Sequence, residues 1–363
     1  MSELKKFRTD LHQIPELGFE EHKTQAYILN AVAELNCTVH TVDTGVILYF
    51  DYQAERTIAF RADMDALPIK EVTGLSFAST HEGKMHACGH DGHMAILLGL
   101  ACWLNDHGAT LNKNVVLVFQ PSEERDAGAN SIIDAGILQA YNVEAIFGLH
   151  LWPGKEKGSV WTRANELMAA ANELDVEIKG RAVHVADSGL GVDALYVASK
   201  FLIDAYSMID ELPKEVFRLL KFGKMHAGSV RNVISDEALL SGTLRSYDPE
   251  IHQQLQNELQ RIADRYDAEF GTTTSIIYKD GYDAVINDEA LVSRVKNIIP
   301  MLNELEIPVL QAEDFGLYRK ICPTLFFFLG VGDTAPLHNE QFDFEMSVLE
   351  DGLNLFVEIV KNY

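Results

Sequence analysis

Asn114–Glu124, NVVLVFQPSEE, is the stretch on which the fold turns. Five apolar residues follow one another without alternation, then proline stops the run. Such a segment is too short for a core helix and reads as a strand buried on both faces. Three more runs have this character: RTIAFRADMDA (56–66), VEAIFGLHLW (143–152) and TLFFFLGV (324–331). GVILYFDY (45–52) reads as a further strand. Helical patterns lie between them, HMAILLGLACWLNDHG (93–108) and AGANSIIDAGIL (127–138), with helices over the first 35 residues, at about 288–303 and from about 345. Apolar strands alternating with helices predict an α/β domain, a mostly parallel sheet with helices on both faces.

The pattern changes between 173 and 281. ELDVEIKGRAVHV (173–185) alternates like a half-exposed strand, and KMHAGSVRNVISDEALLSGTLRSY (224–247) reads as two more around a polar turn. With a strand at 269–279 and helices at about 192–210 and 249–267, this is an α+β unit with a four-stranded antiparallel sheet and two helices. The expected organisation is a discontinuous domain, 1–172 and 282–363, interrupted by an inserted lid at 173–281.

Composition narrows the function. Hydrophobic residues at 47% and charged residues at 23% are those of an ordinary globular protein. A net charge of -24 argues against nucleic acid or an anionic membrane as partner, since both require a basic face. No apolar run reaches the roughly 18 residues of a membrane span, and the charged, amphipathic start lacks the apolar core of a signal peptide. Four irregularly spaced cysteines suit a reducing cytoplasm, and Cys37, Cys102 and Cys322 read as small core residues.

The reactive side chains fall at strand ends. Asp63 and Asp65 close one strand, Glu123 and Glu124 another, His150 lies near the end of a third, and His338 follows the last. Ligands of open α/β sheets sit beyond the carboxyl ends of the strands. HACGHDGH (86–93) adds Cys88 and His90, whose i, i+2 spacing puts both on one side of an extended segment. Together these residues predict a metal site. His86 and His93 are expected behind or outside it, Asp91 as a cap on the helix it opens, and His12, His22, His40, His107 and His252 without special role. One of the adjacent glutamates can ligate while the other serves as general base. Mixed sulfur, nitrogen and oxygen donors admit zinc, manganese, cobalt or nickel, the thiolate leaning towards zinc. No phosphate-binding glycine loop follows any strand, which argues against a nucleotide-dependent enzyme. A purely structural metal site has no use for a spare glutamate.

LHQIPELGFEEHKT, RADMDALPI, HACGHDGHMA, FQPSEE, GLHLWP, NVISDEALLSGTLRS, AEDFG and LHNEQFDF, in this order, resemble the dimetal amidohydrolases related to aminoacylase and glutamate-releasing carboxypeptidase. They are most similar to the branch of hippurate hydrolase, auxin-conjugate hydrolases and N-acetyldiaminopimelate deacetylase. The resemblance implies hydrolysis of an N-acyl amino acid by two divalent ions per chain, with a dipeptidase or carboxypeptidase as the alternative. It implies Cys88 as bridging ligand, His90 with His150 on one ion, Glu124 with His338 on the other, Glu123 as general base and Asp65 behind the ligands. It assigns His184 to the oxyanion, in its own or a partner subunit's site, and Asn232 and Arg245 to the substrate. A homodimer through the lid is also implied. Arg125 and Asp126 stand where the branch usually has glycines, and HVADSG (184–189) departs from its lid motif.

Overall fold

The computed structural model describes residues 3–213, 216–279 and 281–363. These form two compact units. The first comprises the chain up to Leu167 with Val285–Ile307 and Asp314–Tyr363; the second is Met168–Ala284 with Pro308–Glu313. The two main boundaries thus lie five and three residues from those expected from sequence. The return of 308–313 to the second unit left no mark in the hydrophobic pattern.

The first unit holds an eight-stranded sheet. Its centre is four parallel strands in the order Asn114–Gln120, Thr57–Asp63, Val143–Trp152 and Thr324–Gly330. Antiparallel strands Gly45–Phe50 and Thr38–Val42 extend it on one side; short strands Val160–Thr162 and Asn303–Glu304 extend it on the other. Every residue of Thr57–Asp63, Asn114–Gln120 and Thr324–Gly330 is buried, which is why their sequences do not alternate. Leu48, Phe60, Leu117, Phe147 and Phe327 line one face, in one core with residues of helices Glu3–His12, His90–His107 and Val348–Asn362. On the opposite face Phe326 packs on Phe315 of the short helix Asp314–Lys320. Parallel register sets Asp63 beside Gln120 and His150 beside Phe328, so the ends of the central strands share one edge.

The second unit is a four-stranded antiparallel sheet in the order Thr273–Tyr278, Ala170–Lys179, Glu237–Ser246, Arg218–Ala227. Helices Ala194–Glu211 and Pro249–Phe270 share its core, with Phe201, Leu255 and Leu259 among Val176, Ile178, Leu240 and Leu244. Asp193 and Asp248 cap the two helices through backbone N–H groups of their first turns.

Three local expectations are corrected. The helix expected over 127–138 is two short ones, Ala129–Asp134 and Ile137–Ala140, interrupted at Gly136. The strand expected over 173–185 ends at Lys179, and a 3-10 turn runs from Val185 to Leu190. Cys88 and His90 are not on an extended segment. Cys88 sits in a turn, Gly89 is left-handed with φ of 85°, and His90 opens the helix. Their side chains converge because the turn bends them together, not through a strand's two-residue period.

Candidate metal centre

Five side chains meet at the strand edge of the first unit. Cys88 Sγ lies 3.4 Å from His150 Nε2 and 3.3 Å from His338 Nε2. Glu124 Oε1 is 3.2 Å from His338 Nε2 and 3.8 Å from His90 Nε2. The donor atoms of Cys88, His90 and His150 all lie within 4.8 Å of one another, and so do those of Cys88, Glu124 and His338. The sulfur belongs to both groups. His90, Glu123 and Glu124 form a third group of the same kind, which brings Glu123 to the site.

Hydrogen bonds fix the imidazole tautomers. His90 Nδ1 donates to the Asp65 carbonyl at 2.9 Å, and His150 Nδ1 donates to the Leu151 carbonyl at 2.8 Å. A carbonyl only accepts, so each ring donates from Nδ1 and points Nε2 into the site. His90 Nε2 is buried without a hydrogen-bond partner, and Glu124 Oε1 faces the His338 ring. His93 is disposed differently. Its Nε2 accepts from the Leu151 N–H at 3.0 Å and its Nδ1 donates to Asp63 at 2.6 Å, so both nitrogens are engaged. Asp63 in turn accepts from the fully buried Arg61 guanidinium.

Buried carboxylates shape the field at the site. Burial, followed by Glu124 and Glu123, pushes the Cys88 thiol well above its ordinary range. Burial disfavours a charged His90, but Asp63, Asp65 and Glu124 outweigh it and push the ring up to about 10. His150 is held well below its ordinary value by burial and by His93. Burial also opposes ionisation of Asp63, yet His90, His93 and Arg61 hold its carboxyl well below the usual range. The thiol is driven towards protonation by burial and then by carboxylates, and the His90 imidazole by carboxylates against burial, so both shifts carry the mark of negative charge gathered at the site. A thiol, imidazole nitrogens and carboxylate oxygens gathered in this way are a donor set that would hold divalent cations.

Asp65 organises the glutamates from behind. Its Oδ1 accepts from the Glu123 N–H and its Oδ2 from the Glu124 N–H, each at 3.0 Å. The His338 loop is tied to the Cys88 turn by the His338 N–H, which donates to the Ala87 carbonyl at 2.9 Å. His184, Asn232 and Arg245 belong to the second unit. His184 is exposed, and the segment after it pairs with Asn232 through the Val185 N–H. Arg245 is half-buried and donates to the Leu310 carbonyl at 2.7 Å.

Two expectations about the surroundings fail. Asp91 does not cap its helix. It is fully buried, and its Oδ2 is bound by Arg8 and, at 2.8 Å, by His12 Nδ1. His12, expected to have no special role, is 1% exposed and reaches Glu71 through Nε2. Burial lowers the affinity of His12 for a proton, but Asp91 and Glu71 outweigh it and push the ring up to about 9. Arg8 also donates to the Phe344 carbonyl and Asp343, so this cluster joins the first helix to the start of the His90 helix and to the chain beyond His338. Four basic residues within ten positions of a short helix, two of them on its buried face, were the available signal.

Residues 59–362 match peptidase family M20/M25/M40. The chain belongs to this family. It is similar to the N-acetyldiaminopimelate deacetylase of Oceanobacillus iheyensis, with 35% identity over 100% of both chains. The protein of that name from Streptococcus thermophilus is also 35% identical, over 99% of this chain and 97% of its own. Among solved structures it resembles the Bacillus subtilis YXEP protein, described as a dinuclear metal binding peptidase of the M20 family. That likeness has a TM-score of 0.86 and 30% identity over 98% of this chain and 96% of that one.

Proposed function

We propose that this M20 family member hydrolyses the amide bond of N-acyl amino acids, with N-acetyldiaminopimelate first among candidate substrates. The observation that carries the reading is the shared sulfur: two groups of ligand atoms meet at Cys88, and a separate glutamate, Glu123, lies beside them. In this reading His90 and His150 complete one cation site with Cys88, and Glu124 and His338 complete the other. Zinc is the first choice of metal, for the thiolate, and manganese the second. Two bound divalent cations supply polarisation of the scissile carbonyl and a lowered pKa for the attacking water.

The chain's own residues carry the rest. Glu123 takes the water's proton on a carboxylate oxygen and returns it to the leaving amine nitrogen. Asp65 holds Glu123 and Glu124 in register by their backbone N–H groups. His90 and His150, each pinned through Nδ1, keep their Nε2 lone pairs aimed into the site. His184 donates to the developing oxyanion, and Asn232 and Arg245 hold the substrate carboxylate, for which a planar guanidinium is suited. The proposal extends to a cytoplasmic homodimer through the second unit, whose helix Ala194–Glu211 exposes Leu195, Tyr196 and Ile203. No helix among the described residues is long and apolar enough to cross a membrane.

The test is a hydrolysis panel on metal-free and metal-restored protein: N-acetyldiaminopimelate, other N-acetyl amino acids, hippurate and dipeptides. N-acetyl amino acids are expected to be cleaved fastest, only after zinc or manganese is restored. Glu123→Gln is expected to keep its metal and lose about a hundredfold or more in turnover. Faster cleavage of dipeptides would move the protein to the dipeptidase class, and full turnover without metal would sink the mechanism.

A further inference from the structure

Pro15–Thr24, PELGFEEHKT, contributes no candidate ligand or base, yet it lies directly behind the glutamate loop. Glu21 is fully buried. Its Oε1 accepts from the Ser122 N–H at 2.9 Å and its Oε2 from the Thr44 hydroxyl. Asp65 accepts from the next two N–H groups, those of Glu123 and Glu124. Three successive amides of one loop therefore end on two buried carboxylates. The loop needs such restraint, because Ser122 has a φ of 52°, which costs a non-glycine residue energy.

The same segment shapes itself to this loop. A Cβ on Gly18 would stand 3.0 Å from Ser122 Cβ and closer still to its hydroxyl, so only glycine lets the two backbones approach. The Glu16 carbonyl accepts from the Ala66 N–H at 2.7 Å, next to Asp65. The Glu16 carboxylate takes the N–H groups of Lys23 and Thr24, both at 2.9 Å, fixing the start of helix His22–Ala31 just after Glu21. Burial, with Asp65 adding repulsion, pushes the Glu21 carboxyl up to about 7. A neutral isostere is therefore close to one of its own forms, and Oε1 accepts from Ser122 in either.

We propose that Glu21 is a positioning residue for hydrolysis, holding Ser122 in its left-handed conformation so that Glu123 and Glu124 face the centre from fixed places. The assignment rests on the reading of Glu123 as base and Glu124 as ligand. It explains a stretch near the N-terminus as the rear wall of a loop about a hundred residues away.

The test uses the full chain with Glu21→Ala, Glu21→Gln and Gly18→Ala, and Glu21→Ala combined with Glu123→Gln. Readouts are kcat and KM on an N-acetyl amino acid, zinc affinity by chelator competition, and the melting temperature of the metal-free form. Glu21→Ala is expected to lower kcat about tenfold or more with KM within about twofold, since a misplaced base costs rate more than binding. It should also weaken zinc binding and add no further loss of kcat to Glu123→Gln. Glu21→Gln should retain most of the rate, because its amide oxygen still accepts from Ser122. Gly18→Ala, which presses on Ser122 while leaving Glu21 in place, should lower kcat as Glu21→Ala does. Wild-type kcat and zinc affinity in folded Glu21→Ala overturn the proposal, as does a loss of the same size with and without Glu123. Full activity of Glu123→Gln alone overturns the base reading instead; the Glu21 assignment then stands only if Glu21→Ala still weakens zinc.

Discussion

His12 shows how one side chain can bind distant segments. It is nearly inaccessible, lies between Asp91 and Glu71, and is pushed up from 6.5 to about 9. A raised pKa means that the folded state holds the proton more tightly than the unfolded chain. The resulting stability is complete below pH 6.5 and is lost as pH rises through about 9. Glu71 works in the opposite sense. Burial opposes its ionisation, but His12, Thr73 and the Ser79 N–H prevail and lower it to about 2, so its contribution is full above 4.5 and vanishes as pH falls through 2. Together they favour the fold most between about 4.5 and 6.5. Denaturant unfolding of metal-free protein should show His12→Asn costing more stability at pH 6 than at pH 9.5. An equal cost at both would mean that the ring is neutral in the folded protein. The basic residues of the first helix hinted at a buried partner, but not at which one, since His12 and Asp91 are 79 residues apart and meet only when the first helix packs on the third.

At the scale of elements, most of the architecture was legible. Strands buried on both faces must be apolar throughout, and Val115–Phe119, Ile58–Phe60 and Leu325–Leu329 are. Their ends could be read because each run stops at a charged or turn-forming residue. The turn at Cys88 could not, because Cys-Gly-His fits both an extended and a bent path and only packing chooses. Leu151 and Phe342 crowd Gly89, whose left-handed φ delivers Cys88 and His90 to one point. Gly89→Ala should therefore cost roughly 1–2 kcal/mol in backbone strain and weaken zinc binding about tenfold, measured by chelator competition, with the secondary structure unchanged by circular dichroism. Unaltered affinity would mean that the turn tolerates a side chain and that the ligands do not depend on its bend.

On the scale of the molecule, the chain crosses between its two units at four points, after Leu167, Ala284, Ile307 and Glu313. All five candidate ligands nevertheless come from the first unit, while His184, Asn232 and Arg245 come from the second. Metal should then stabilise one unit directly, by mass action on its folded form. Calorimetry with and without zinc is expected to move the transition of the larger unit upward by several degrees and leave that of the smaller unit in place. A common shift of both would show that they unfold as a single cooperative block. Within the larger unit everything converges on one sulfur, because Cys88 Sγ belongs to both groups of ligand atoms. Oxidation of that atom to a sulfinate, or its alkylation, removes a donor from both groups in one chemical event. Loss of activity under oxidants should accordingly be all-or-none in each chain, and what a cell retains would follow the redox history of a single buried thiol.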